Sequence, residues 1–198
     1  MQTSDTKLID ALFTVIADHG WRGVTPGRLA ALSGVPAGEL VRRFPSRLDL
    51  LRLHADWVAA QVAEGTVPGQ GGTPRDRVFD VLMRGVDALL PHRAGMLRLM
   101  SDMRRDGVLA GALAPILQRS MGRMLDAAEL DSSGLQGGLR AAGLVGVWLM
   151  TLRAWEKDDS VDMGTTMAAV DRALDRAEQT ARSLRLEPGD LAPQNTAD

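Results

Sequence analysis

Every apolar stripe in this chain recurs at three- and four-residue spacing, and no stretch alternates apolar and polar residues as a half-buried strand would. That regularity points to an all-α fold, because strand faces need a two-residue period. About nine helices are expected. Leu8, Ala11, Leu12, Val15 and Ile16 form the stripe of a first helix, capped by Ser4 and stopped by Gly20. Thr25-Pro26 reads as an N-cap followed by proline at the first helical position, so a second helix opens there. It carries Leu29, Ala30 and Leu32 and ends at Gly34. Pro36 opens a short third helix through Phe44, with Leu40 and Phe44 on its buried side, and Pro45 breaks it. Ser46, with Asp49 three residues on, caps a fourth helix to about Ala63.

Glu64 to Thr73 holds four glycines and a proline and is expected to be a flexible connection. Thr73-Pro74 then starts a helix to about Leu90, and two shorter ones follow near Met96–Arg105 and Leu113–Ala128. Ser133 with Gln136 reads as a capping box for a helix to about Trp155. A last helix covers Met163–Leu186. The domain reading is a head over residues 1–50, a helical body over 51–187 and a disordered polar tail over 188–198.

Composition removes several function classes. Cysteine is absent, so there is no disulfide framework, thiolate nucleophile or Cys-ligated zinc. His19, His54 and His92 lie too far apart in sequence to suggest a metal motif, and none has a nucleophile beside it. Neither an enzyme, a metal site nor a cofactor is expected. Asp158, Asp159 and Asp162 are read as a polar loop over the positive N-terminus of the last helix rather than a cation site. No apolar run approaches the roughly 18 residues of a membrane span, so no stable membrane insertion is expected. The polar N-terminus is not a signal peptide, which suggests a cytoplasmic protein. Net charge is −2. Up to Ala55 there are seven basic and five acidic residues, leaving the remainder at −4. A faintly basic head on an acidic body is compatible with nucleic-acid binding by the head.

The informative block is residues 8–53. A capped helix, a turn built on Gly34-Val35-Pro36 and a short following helix is helix-turn-helix chemistry, in which Leu29, Ala30, Val35 and Leu40 can lock the pair. His19-Gly20-Trp21, Thr25, Leu29-Ala30, Ser33-Gly34-Val35 and Phe44-Pro45-Ser46-Arg47 together resemble the head of the tetracycline-repressor (TetR) family of transcription regulators. The resemblance implies phosphate contacts from Thr25 and Arg47. It places Pro36, Ala37, Gly38 and Glu39 toward base edges, of which only Glu39 has a side chain able to hydrogen-bond there. Arg42 and Arg43 can reach phosphate or guanine, and Arg28 belongs to the same DNA-binding set. Val41 stands where the family carries a tyrosine whose hydroxyl contacts the DNA backbone.

Beyond the head, Trp155 to Ser160, leading into Asp162, Met167 and Asp171-Arg172, is similar to the lipid-binding accessory proteins of ubiquinone biosynthesis. Those share the architecture but not the DNA binding, and the likeness bears on ligand class. Apart from Met1, every methionine lies beyond the glycine-rich connection. Met is unbranched and adaptable, which suits a cavity for a flexible apolar ligand. Met96, Met100, Met103, Met121, Met124 and Trp148 are the candidates, core packing being the alternative for each. Ala141, Ala142, Gly143 and Gly146 beside Leu139, Leu144 and Val147 would allow close helix approach. The resemblance implies a homodimer through the last two helices, and a partner in double-stranded DNA carrying a palindromic operator. It also implies a regulator, by family habit a repressor, released by a small apolar ligand.

Overall fold

Short-range signals end most of the helices. In the computed structural model, which describes residues 3–66, 69 and 71–183, Thr25 Oγ1 accepts the backbone N–H of Arg28, with Pro26 opening the helix behind it. Ser46 and Asp49 exchange side-chain and backbone hydrogen bonds reciprocally, as do Thr73 and Asp76. Nine α-helices and no strand occur among the described residues. They are α1 (Thr3–His19), α2 (Pro26–Ser33), α3 (Ala37–Arg43), α4 (Arg47–Gly65), α5 (Pro74–Leu89), α6 (Arg93–Arg105), α7 (Gly107–Ala127), α8 (Gly134–Trp155) and α9 (Gly164–Ser183). Short 3-10 turns at Trp21–Gly23 and Leu90–His92 follow α1 and α5.

Four expectations are corrected. Ser4 lies inside α1, which is already helical at Thr3. Leu32 faces outward. The helix expected from Leu113 begins six residues earlier, at Gly107, because Asp106 accepts the N–H groups of Val108 and Leu109 and caps it there. Pro115 is carried inside that helix. Ser133 does not spend its hydroxyl on a capping box; it donates to Asp131 Oδ1 at 2.6 Å. The end of the last helix beyond Ser183, and the tail 188–198, lie outside the described residues, as do positions 67, 68 and 70 of the glycine-rich connection.

The described residues divide into two compact units, with the boundary between Val145 and Gly146. In the first, α1 packs most extensively on α6, and α4 lies against α5 and α7. One apolar cluster takes Leu8, Leu12 and Ile16 from α1, Leu29, Val35 and Leu40 from the helix-turn-helix, and Leu50 and Leu51 from α4. Leu99 of α6 and Leu109 and Leu113 of α7 complete it. α6 approaches α1 so closely that a Cβ on Gly95 would overlap the Phe13 carbonyl, which is why glycine stands there.

The second unit holds the end of α8 and α9, joined by an acidic turn. Asp158 is buried and its carboxylate accepts the N–H and hydroxyl of both Ser160 and Thr166. It therefore caps the first turn of α9, and these donors, Ser160 first, hold its carboxyl far below the usual range. Among the described residues no group of three metal-ligating side chains is found there or elsewhere.

Candidate nucleic-acid interface

The turn between α2 and α3 is set by backbone geometry. Gly34 adopts φ 75°, a left-handed conformation that glycine reaches without a Cβ penalty, and returns its N–H to the Ala30 carbonyl at 3.0 Å. Ser33 braces it, donating to the Leu29 carbonyl and accepting from the Val35 N–H. The Pro36 carbonyl then accepts the N–H groups of Glu39 and Leu40, starting α3. Leu29, Val35 and Leu40 are buried, so α3 is anchored by one side. Its other side is bare. Ala37, Gly38, Val41 and Arg42 are exposed, and a Cβ on Gly38 would meet nothing within 4 Å. Val41 is 55% exposed and Leu32 of α2 is 56% exposed.

The arginines of this region divide sharply. Arg42 makes no side-chain hydrogen bond or ion pair among the described residues. Arg43 is committed: it meets Asp5 of α1 at 2.6 Å and Glu39 at 3.5 Å and lies 5.0 Å from the Phe44 ring centroid. The Asp5 hydrogen bond, opposed by some desolvation, raises its pKa further. Arg47 donates to the Trp21 carbonyl at 3.1 Å and lies over the Trp21 ring, tying the start of α4 to the turn after α1. Arg28 donates to the Gly23 carbonyl at 2.9 Å. Thr25 is exposed at the head of α2, and Glu39 is half-buried beside Arg43. Thus the seven candidates do converge on the helix-turn-helix and its flanks, but three of the four cations already hold intramolecular partners. Sequence spacing gives no sign of these bonds, since Asp5 and Arg43 are 38 positions apart.

The head is also gripped from behind. Asp102 of α6 accepts the Trp21 N–H at 2.7 Å and pairs with Arg98, and Asp106 reaches Arg22 at 3.4 Å. A half-open cleft of about 380 Å³ runs along this joint, lined by Trp21, Arg22, Arg98, Asp102, Arg105 and Leu109 among others.

The apolar-ligand candidates are more scattered. Met121 and Met124 are buried on α7. Met96 and Met103 of α6 pack against the head's apolar cluster, and Met100 is half-buried. Trp148 is buried on the part of α8 that belongs to the second unit. None of the six lines that cleft, nor a second of about 260 Å³ near Arg77 and Glu129.

α8 corrects the membrane reading in one respect: over its 22 residues it is long and apolar enough to cross a membrane by length and composition. Its apolarity is shared between two faces. Ala141, Leu144, Val147, Trp148, Thr151, Leu152 and Trp155 are buried, while Leu135, Leu139, Ala142, Gly146 and Leu149 make an exposed stripe at three- and four-residue steps. A Cβ on Gly143 or Gly146 would meet nothing within 4 Å.

No protein-family model and no curated protein matches the sequence. Solved structures do match. A TetR transcriptional regulator from Nitrosomonas europaea ATCC 19718 superposes with a TM-score of 0.66 at 19% identity, covering 90% of this chain and 99% of that one. A TetR transcriptional regulator from Rhodococcus sp. RHA1 gives 0.63 at 20% identity, over 88% and 94%. With a capped α2, a left-handed glycine turn and a one-side-anchored α3 at the front of an all-helical chain, this protein has the fold of the TetR transcriptional regulators.

Proposed function

We propose that the chain is a DNA-binding transcriptional regulator that acts as a homodimer, with residues 1–50 as the head and 51–187 as an effector and dimerisation domain. The observation that carries this is the outward side of α3, exposed, free of core duty and bearing the Arg42 guanidinium, which has no partner among the described residues. Ala37, Gly38 and Val41 offer no hydrogen bond to a base edge, so affinity rests on phosphate charge and sequence preference partly on DNA shape. Thr25 and Arg42 supply contacts directly. Arg43 supplies one by exchanging Asp5 for a phosphate, and Arg28 and Arg47 add positive charge while holding their carbonyl partners. A salt titration comparing the promoter fragment with a scrambled duplex tests the reading. Binding of both, strengthening as salt falls, is expected; no binding of either at about 50 mM salt removes it.

The pairing of Arg43, Arg47 and Arg28 within the head favours one competing reading, a lipid-binding accessory protein that keeps the head as a structural part. The same titration separates the two.

Dimerisation is proposed through the exposed stripe of α8, where Ala142 and Gly146 leave room for a second helix. Replacing Gly146→Gln adds bulk where the single chain has none, so helix content should hold while dimerisation weakens by roughly tenfold or more, read by sedimentation. A wild-type chain that is monomeric at micromolar concentration removes the dimer. The effector is proposed to be a small flexible apolar molecule held by the methionines of α6 and α7, biasing one spacing of the paired heads and so releasing operator. Long-chain acyl or isoprenoid compounds should raise the melting temperature of delipidated protein in proportion to log concentration. A panel without any shift would leave Met100, Met121 and Met124 as plain core.

A further inference from the structure

Behind the head, two histidines that are 38 positions apart come together. His54 of α4 and His92 of the Leu90–His92 turn have ring centroids 5.4 Å apart and are 4% and 6% exposed. Phe13 of α1 stacks on His92 at 4.9 Å and tilts over His54 at 4.4 Å, and Trp57 closes the cage at 5.8 and 5.3 Å. His92 Nε2 lies 3.0 Å from Asp10 of α1. Among the described residues, buried His92 Nδ1 and His54 Nε2 have no partner. This cage spans α1, α4 and the corner between α5 and α6, one turn from the point where Gly95 touches Phe13. It is therefore the joint that holds the first helix of the head to α6.

A neutral imidazole fits here as an aromatic ring. A protonated one does not, because both of its nitrogens must donate and one would face an apolar wall with no acceptor. The charges around the pair do little to help. Asp10 serves His92 and is mostly in solvent, Arg123 of α7 meets α4 at Asp56 on its exposed side, and Asp87 of α5 interacts with Arg84. Arg93 follows His92 in the chain and adds only positive charge.

We infer that the His54–His92 cage is a proton-released latch between the first helix of the head and α6, closed while the His54 ring is neutral and opened when that ring takes up a proton. Burial first, and the neighbouring His92 second, push the His54 pKa down to about 3 in the closed form, against an ordinary value near 6.5. The sign follows: closure is at full strength above about pH 6.5 and weakens as pH falls toward 3. For the proton on His54 the opening equilibrium rises about tenfold per pH unit in that window. The latch stands whether or not the head binds DNA.

The test uses the full chain. Amide exchange in α1 around Phe13, corrected for intrinsic rates, should show opening that grows between pH 7 and 5, and His54→Phe should remove about one proton from that dependence. Imidazole NMR of the unmodified protein, simplified by a total of three histidines, should show His54 still neutral at pH 5 in the closed form. Exchange independent of pH, or His54 titrating near 6.5 in the folded protein, overturns the latch, and the NMR decides even where the variant fails to fold.

Discussion

The two sides of the head obey different rules. On the inward side Leu8, Leu12 and Ile16 are wholly buried, a glycine is required where α6 meets α1, and Asp102 fixes the Trp21 N–H. On the outward side, α3 exposes Val41, Ala37, Gly38 and Arg42, which touch little. The inward side carries stability, and in the DNA-binding function proposed above the outward side carries recognition. A binding surface has to remain unsatisfied until its partner arrives, whereas a core tolerates no such vacancy.

Substitutions can sharpen this contrast. The largest effect belongs to Gly95→Ala, because the new Cβ must displace the Phe13 backbone; a loss of about 3 kcal/mol in denaturant unfolding is expected, and a change under about 1 would show that α1 and α6 separate easily. Ser46→Ala, at the edge between the sides, removes the cap of α4 and should cost about 1 kcal/mol with the denaturant slope unchanged. Arg43→Ala gives up a partly exposed pair with Asp5 and should cost about 0.5 kcal/mol. Arg42→Ala should leave the melting temperature where it is. In the proposed duplex binding the order reverses. Arg42→Ala should flatten the slope of log affinity against log salt by at most about 0.9 for each phosphate left without its cation, and Arg43→Ala by less, since Asp5 already competes for it. Equal reductions in slope from both would mean that the Asp5 pair opens at no cost.

Helix ends were the most readable part of the chain. Thr25, Gly34, Pro45, Ser46 and Thr73 act within four residues of themselves, so the bonds they form are written in adjacent sequence. The start of α7 had such a signal too, in Asp106 ahead of Val108 and Leu109. Arg43, Arg47 and Arg28 were legible as cations on the right helices, but the partners of Arg43 and Arg47 were not, because Asp5 and Trp21 reach them only after α1 folds back across the head. The stripe on α8 was visible as small and apolar residues, while which of them face outward was not: Ala141 and Ala142 are neighbours in sequence and opposite in burial.

The sequence by itself determined that the chain is helical, where most helices begin and that a glycine turn joins α2 to α3, since hydrophobic period, capping and backbone freedom are local properties. Tertiary structure decided which charges are spent and which remain, and it brought His54 to His92 across 38 positions of chain into one apolar cage. Burial and ion pairing depend on distances between segments, and no spacing rule within a helix sets those distances.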